Sequence, residues 1–201
     1  MSKLSTTTWP KRHRQTFNQL ADFMNQYNIK SPTVLEVGPG ATSSLLKNLL
    51  ASGEGEDLSF WANRLRAFLR NVDSLIRHIP FVDLHSFEPG ELLDVLPADA
   101  RLIVSDINPR VIKAIAKQYP QADARVIDFA DSPMKEPVDI IVCLCVIVRT
   151  SAPKTIFKNL YDSLKPGGLF VIDNRSITNF SDSFCVMERL APQIWRKTGN
   201  S

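Results

Sequence analysis

Thr33-Val34-Leu35-Glu36-Val37-Gly38-Pro39-Gly40-Ala41-Thr42-Ser43-Ser44-Leu45-Leu46 is the stretch that decides the fold. Apart from Glu36, its first five residues are apolar or β-branched, which predicts a strand buried on both faces. The run breaks at Gly38-Pro39-Gly40. Small hydroxyl residues then lead into an apolar-periodic segment through Leu50, which predicts a helix. Strand, glycine turn and helix form the first βα unit of a doubly wound sheet. Ligands collect at such a turn because the carboxyl end of the strand and the amino end of the helix converge there. Gly38 can take a backbone angle closed to other residues, and Gly40 lets a ligand approach the main chain. Glu36 is the odd residue, since a carboxylate in an apolar strand is costly to bury unless hydrogen bonds are donated to it.

Working outward, the same pattern recurs. Arg101 to Asp106 predicts the second strand, with Asp106 at its carboxyl end and Ile107-Asn108-Pro109 after it. A carboxylate there accepts two hydrogen bonds from a ribose diol. Pro109 suits the first turn of a helix, with Val111, Ile112, Ile115 and Ala116 inward. Ala124 to Asp131 is the third strand and its exit. Val138 to Cys145 is the fourth, apolar on both faces as a central parallel strand should be. Ser151-Ala152-Pro153 starts a helix with Ile156, Leu160 and Leu164 inward, and Lys165-Pro166-Gly167-Gly168 turns the chain into an apolar strand from Leu169 to Asp173. Phe184 to Leu190 and Gln193 to Lys197 read as two antiparallel strands joined at Ala191-Pro192, after a helix shortened to residues 176–183. The fold class is α/β: a doubly wound, mostly parallel sheet with helices on both faces, in one domain spanning 1–201.

Two segments lie outside that rhythm. Residues 1–32 carry Lys11-Arg12-His13-Arg14 and then Phe17, Leu20, Phe23, Met24 and Tyr27, the spacing of a helix with one apolar face. Ser31-Pro32 stops it. Residues 51–100 are long for a βα connection. They open on an acidic loop and continue as a helix from Leu58 to His78 rich in arginine, followed by a short helix from Pro89 to Leu96 that Pro97 ends. This helical insertion after the first βα unit is expected to lid the site or to pack against a partner, including a second copy of the chain.

With 201 residues the chain is long enough for a sizeable core, and its net charge of +3 leaves no strong nucleic-acid footprint. The three cysteines are an odd count, and Cys143 and Cys145 sit in the most apolar run, the pattern of buried thiols in a reducing compartment. Cys-x-Cys has the wrong spacing for a zinc knuckle, so no metal site is expected. No signal peptide opens the chain, and Ile140 to Val148 is too short to span a bilayer. A cytoplasmic protein without a membrane partner is the expectation.

Glu36-Val37-Gly38-Pro39-Gly40 resembles the first motif of the class I S-adenosylmethionine (SAM)-dependent methyltransferases, an acidic residue, x, then Gly-x-Gly. The helix ending in Leu164-Lys165-Pro166-Gly167-Gly168 before an apolar strand is similar to a second feature of that family. The resemblance covers roughly residues 30–175. Thr42 departs from it, standing where many members carry a third glycine, and Ser43 breaks a dinucleotide Gly-x-Gly-x-x-Gly. The resemblance implies SAM as methyl donor and S-adenosylhomocysteine (SAH) as product. It implies that Glu36, Gly38, Pro39 and Gly40 face the amino acid and sugar, that Asp106 and Ile107 lie at the ribose, and that Asp128 meets the adenine amine with Phe129 against the ring. It places the reacting methyl near Cys145. No catalytic residue is assigned: the sulfonium already activates the methyl, so binding both reactants in line suffices. Asp173, Asn174, His78 and His85 are the polar residues nominated near the chemistry. A small-molecule acceptor is the expected partner. RNA or protein is the alternative, using Arg12, Arg14 and the insertion's arginines, and a non-catalytic SAM-binding scaffold is the third reading.

Overall fold

The structure, a computed structural model, describes residues 13–39, 41–43, 85–87, 92–144, 146–147, 150–180 and 185–199. In chain order the elements are α1 (Arg14–Gln26), β1 (Thr33–Val37), β2 (Ala41–Ser43), β3 (His85–Phe87), β4 (Arg101–Asp106), α2 (Pro109–Gln118), β5 (Asp123–Val126), β6 (Val138–Cys143), α3 (Pro153–Asp162), β7 (Leu164–Ile172), α4 (Asn174–Phe180), β8 (Met187–Ala191) and β9 (Ile194–Lys197). They fall into two compact units, Met1–Arg12 with Gly40–Glu88, and His13–Pro39 with Pro89–Ser201.

In the first unit β2 and β3 pair antiparallel, with Thr42 opposite Ser86. This corrects the sequence expectation of a helix directly after the glycine turn. Ala41-Thr42-Ser43 is short, with a β-branched residue at its centre, and Thr and Ser side chains compete with helical hydrogen bonds. The remainder of that expected helix, and the expected helix from Leu58 to His78, lie outside the described residues.

The second unit holds a seven-stranded sheet in the order β5-β4-β1-β6-β7-β9-β8. The first five strands are parallel, and β9 and β8 close the sheet antiparallel. From β1 the chain builds outward through β4 and β5, then returns to the other side of β1 as β6 and β7. Parallel neighbours joined through a helix take a right-handed crossover, so the opposite directions of growth put α2 and α3 on opposite faces.

The register shows what each face buries. Ile103, Leu35, Ile141, Phe170 and Trp195 form a row across five strands. Phe157 and Leu160 of α3 and Ile177 of α4 share its buried cluster. One residue earlier, Leu102, Val34, Ile140 and Leu169 point to the other face, in a row that ends on Arg196. The Arg196 guanidinium lies 4.5 Å from the ring centre of Tyr27, which places α1 on that face. There α1 buries Phe17, Leu20 and Met24, the stripe read from its sequence.

Lys165, Pro166 and Gly167 do not separate helix from strand, as the sequence reading had it. They bulge within β7, whose pairing with β6 jumps from Val138–Leu164 to Ile140–Leu169. A Cβ on Gly168 would lie 2.8 Å from the Asp139 carbonyl oxygen, a backbone approach only glycine permits. Of the short helix expected from Pro89 to Leu96, residues 92–96 are described: the amides of Val95 and Leu96 both donate to the carbonyl of the fully buried Leu92, at 3.1 and 3.2 Å.

Ion pairs hold the β4–β5 edge in register. Arg125 donates to both oxygens of Asp123 at 3.0 and 2.6 Å, and Arg101 adds a bond at 2.9 Å. Arg125, with Arg101 as second partner, holds the Asp123 carboxyl down at about 2 against the opposing effect of burial. A carboxyl with a depressed folded-state pKa stabilises the fold above its unfolded value, about 4, and loses that contribution as pH falls toward about 2. Partial exposure keeps the effect modest. The unfolding free energy of the wild type, followed by urea titration, should therefore drop more steeply between about pH 4 and pH 2 than that of Asp123→Asn. Parallel pH profiles would contradict the pairing.

Candidate functional site

The candidate site is the edge of the second unit where β1, β4, β5 and β6 present their carboxyl ends. At β1 the strand ladder runs one residue past Val37: the Gly38 amide donates to the Ser105 carbonyl at 2.8 Å. Gly38 then turns with φ +59°, and a Cβ there would sit 2.7 Å from Val146 Cγ2. The glycine is needed twice over, for a left-handed angle and for the approach of the segment following β6. Pro39 follows at once. Glu36 is 7% exposed, in the row of Val104 and Val142. Gly40, expected to receive a ligand, lies outside the described residues, as does Cys145.

At β4 the loop is built from two consecutive side-chain turns. Asp106 Oδ1 accepts from the Asn108 amide at 2.8 Å, and Asn108 Oδ1 accepts from the Arg110 amide at 3.0 Å, capping α2, whose first turn holds Pro109. Between the two turns Ile107 stands out, 68% exposed. The Ile127 amide donates to the Asp106 carbonyl at 3.2 Å and carries the β4–β5 pairing to the same edge.

At β5 the exposed Asp128 accepts from the Ala130 amide through Oδ1 at 2.8 Å. Phe129, expected against a base, is instead 3% exposed, and its ring lies in the core cluster that includes Phe157 and Leu160. Asp128 is exposed where the chain leaves β5, and the next two side chains, Phe129 and Ala130, both pack against the core cluster. Among the described residues, apolar side chains displayed at this edge include Ile107 and Val126, the last residue of β5.

Beyond β6, Ile147 is fully buried and its carbonyl accepts from Thr150 through both amide and hydroxyl, at 3.1 and 2.8 Å. Asp173, nominated for chemistry, has both oxygens occupied as the cap of α4, accepting from the amide and hydroxyl of Ser176 at 3.0 and 2.9 Å. His85 is in β3, in the other unit, and His78 is outside the described residues. A shallow cavity of about 320 Å³ lined by Lys30, Asp139, Lys165 and Gly168 lies at the opposite, amino-terminal edge.

The sequence reading gave no packing role to Val146 or capping role to Asn108, and it missed, on α3, Asn159 with Ser163 just past its end. The signal for the last two was present. Ile156, Asn159, Leu160 and Ser163 follow helical spacing, so the two polar residues share the inward face with the two apolar ones.

Carboxylates close adjacent strands at Asp106 and Asp128, hydrogen-bond acceptors for a diol and an amine. A large exposed side chain, Ile107, stands on the loop leaving the first of them. Among the described residues, these acceptors suit a sugar, a base amine and a cationic centre.

A family profile described as a methyltransferase domain matches residues 89–170. Among curated protein sequences none matches the chain. Solved structures do. The CurJ carbon methyltransferase superposes with a TM-score of 0.54 at 9% identity over 94% of this chain and 54% of its own. The N-methyltransferase NodS from Bradyrhizobium japonicum WM9, in complex with SAH, gives 0.48 at 15% identity over 94% and 88%. DesVI from Streptomyces venezuelae gives 0.45 at 12% identity over 89% and 58%. The chain thus spans little more than half the length of the first and third of these, 54% and 58%.

The packing at Gly38 makes a prediction. Gly38→Ala should cost about 1–2 kcal/mol from the left-handed backbone alone, and more from the Val146 contact. Adding Val146→Ala should recover the contact part. A urea-unfolding double-mutant cycle should therefore show a coupling of about 1 kcal/mol. Strict additivity would contradict the contact.

Proposed function

We propose that the chain is a class I methyltransferase that takes its methyl group from SAM, a reading supported by the methyltransferase-domain profile over residues 89–170 and by the fold, and that it moves this methyl to a small-molecule acceptor at the carboxyl edge of β1, β4, β5 and β6. The observation that carries the reading is the placement of Asp106 and Asp128 at the ends of adjacent strands with Ile107 exposed on the loop leaving the first.

When bound, SAM supplies an already activated methyl on a positively charged sulfur. The chain's residues have the tasks of binding, orienting and excluding water. Asp106 accepts from the ribose diol. Asp128 accepts from the exocyclic amine of adenine. Ile107 covers an apolar face of the nucleoside. Glu36, with the bend at Gly38 and Pro39, faces the amino acid end, where a negative carboxylate favours the ammonium. Ile147, buried behind the segment that follows β6, fixes the wall on the acceptor side.

Charge favours a small acceptor. A nucleic-acid substrate brings a polyanionic backbone that binding sites meet with clustered Lys and Arg. Among the described residues this edge presents the carboxylates of Asp106 and Asp128, and the net charge of the chain is only +3.

Calorimetry with SAH tests the assignment. The wild type should bind on the micromolar scale, and Asp106→Ala should weaken binding by about 1–3 kcal/mol, roughly 5- to 150-fold. Unchanged affinity would remove Asp106 from the ribose. Transfer of labelled methyl from SAM into a cell extract distinguishes turnover from binding alone.

A further inference from the structure

The base-reading carboxylate is aimed from a distance. Asn159, on α3, is 9% exposed, and its Nδ2 donates to the Phe129 carbonyl at 2.8 Å. The peptide that owns this carbonyl also owns the Ala130 amide, which donates to Asp128 Oδ1 at 2.8 Å. A peptide unit is planar and rigid, so its two ends cannot be set independently. Asn159 therefore fixes the plane whose other end orients the Asp128 carboxylate. Hydrogen bonds in series also polarise one another, so the amide facing Asp128 is a stronger donor for being anchored at its carbonyl. Among the described residues Oδ2 of Asp128 has no partner, and it is the oxygen left to read a donor.

A second clamp fixes the far end of the same loop. Ser163, just past α3 and fully buried, accepts from the Met134 amide at 2.8 Å and donates to the Asn159 carbonyl at 2.6 Å. Phe129 sinks its ring into the cluster shared with Phe157 and Leu160. Ring burial alone would hold the loop down, but it would leave the tilt of the 129–130 peptide open. The amide of Asn159 sets that tilt.

We propose that Asn159 is a positioning residue for base recognition, acting on Asp128 through the Phe129–Ala130 peptide plane. The proposal rests on the assignment of Asp128 to the base amine made above.

The test compares two ligands by calorimetry: SAH and S-inosylhomocysteine, in which a carbonyl replaces the exocyclic amine. Wild type should prefer SAH by about tenfold or more, since the inosine form offers Asp128 no donor there. In Asn159→Leu the preference should collapse to about twofold or less while the inosine form binds nearly as in wild type. Should Asn159→Leu fail to fold, Asn159→Ser, smaller and still polar, is read by the same ratio. A purely structural role would weaken both ligands alike and leave the ratio intact, which would overturn the proposal with the Asp128 assignment standing. A wild type that binds both ligands equally would overturn the Asp128 assignment and the proposal with it.

Discussion

Strand β1 has neighbours on both edges, β4 and β6, and rows of buried side chains on both faces. A strand so enclosed has one free direction, its carboxyl end, and there the chain must leave without colliding with the loops of its neighbours. Gly38 meets that constraint. Its amide stays in the ladder with Ser105, its φ of +59° turns the chain, and its missing side chain leaves room for Val146. The bend is thus a packing necessity before it is a binding feature. The chemistry proposed for this edge uses carboxylates that neighbouring strands deliver around it.

Those carboxylates are held by short-range means. Asp106 and Asp128 each close a turn on an amide two residues ahead, so their orientation is written into the local chain. What distinguishes them is support from beneath. The Asp128 loop is gripped by a helix from the far end of the next βα unit, through Asn159 and Ser163, and the Asp106 loop passes straight into α2. A substitution on α3 therefore has a route to the Asp128 carboxylate.

Much of the sheet was legible because parallel strands buried on two faces leave a plain signal. Arg101 to Asp106 matched residue for residue, and the turn joining the last two strands fell within two residues of its place. The apolar stripe of α1 was equally direct. The differences arise where the backbone is irregular or an element is short, and where a polar residue shares a buried helix face. The resemblance implies Phe129 against the ring of a base, whereas its side chain lies in the core cluster. Lys165-Pro166-Gly167 was read as the end of an element, although a bulge uses the same residues. The sequence predicts a helix soon after the glycine turn, whereas Ala41 to Ser43, with the β-branched Thr42 at its centre, pairs as a strand. Asn159 was overlooked because a lone amide among inward leucines and isoleucines resembles a surface position, until the helical spacing is drawn as a face.

The central claim is that a nucleoside binds at the carboxyl edge of the parallel strands and not at the cavity on the opposite edge. Amide hydrogen exchange with and without SAH tests it most directly. The account predicts slowed exchange in the presence of SAH at the amides of Gly38, Asn108 and Ala130, with no change around Lys30 and Lys165 to Gly168. Protection confined to that opposite edge, or unchanged exchange at all three amides under saturating SAH, would contradict it.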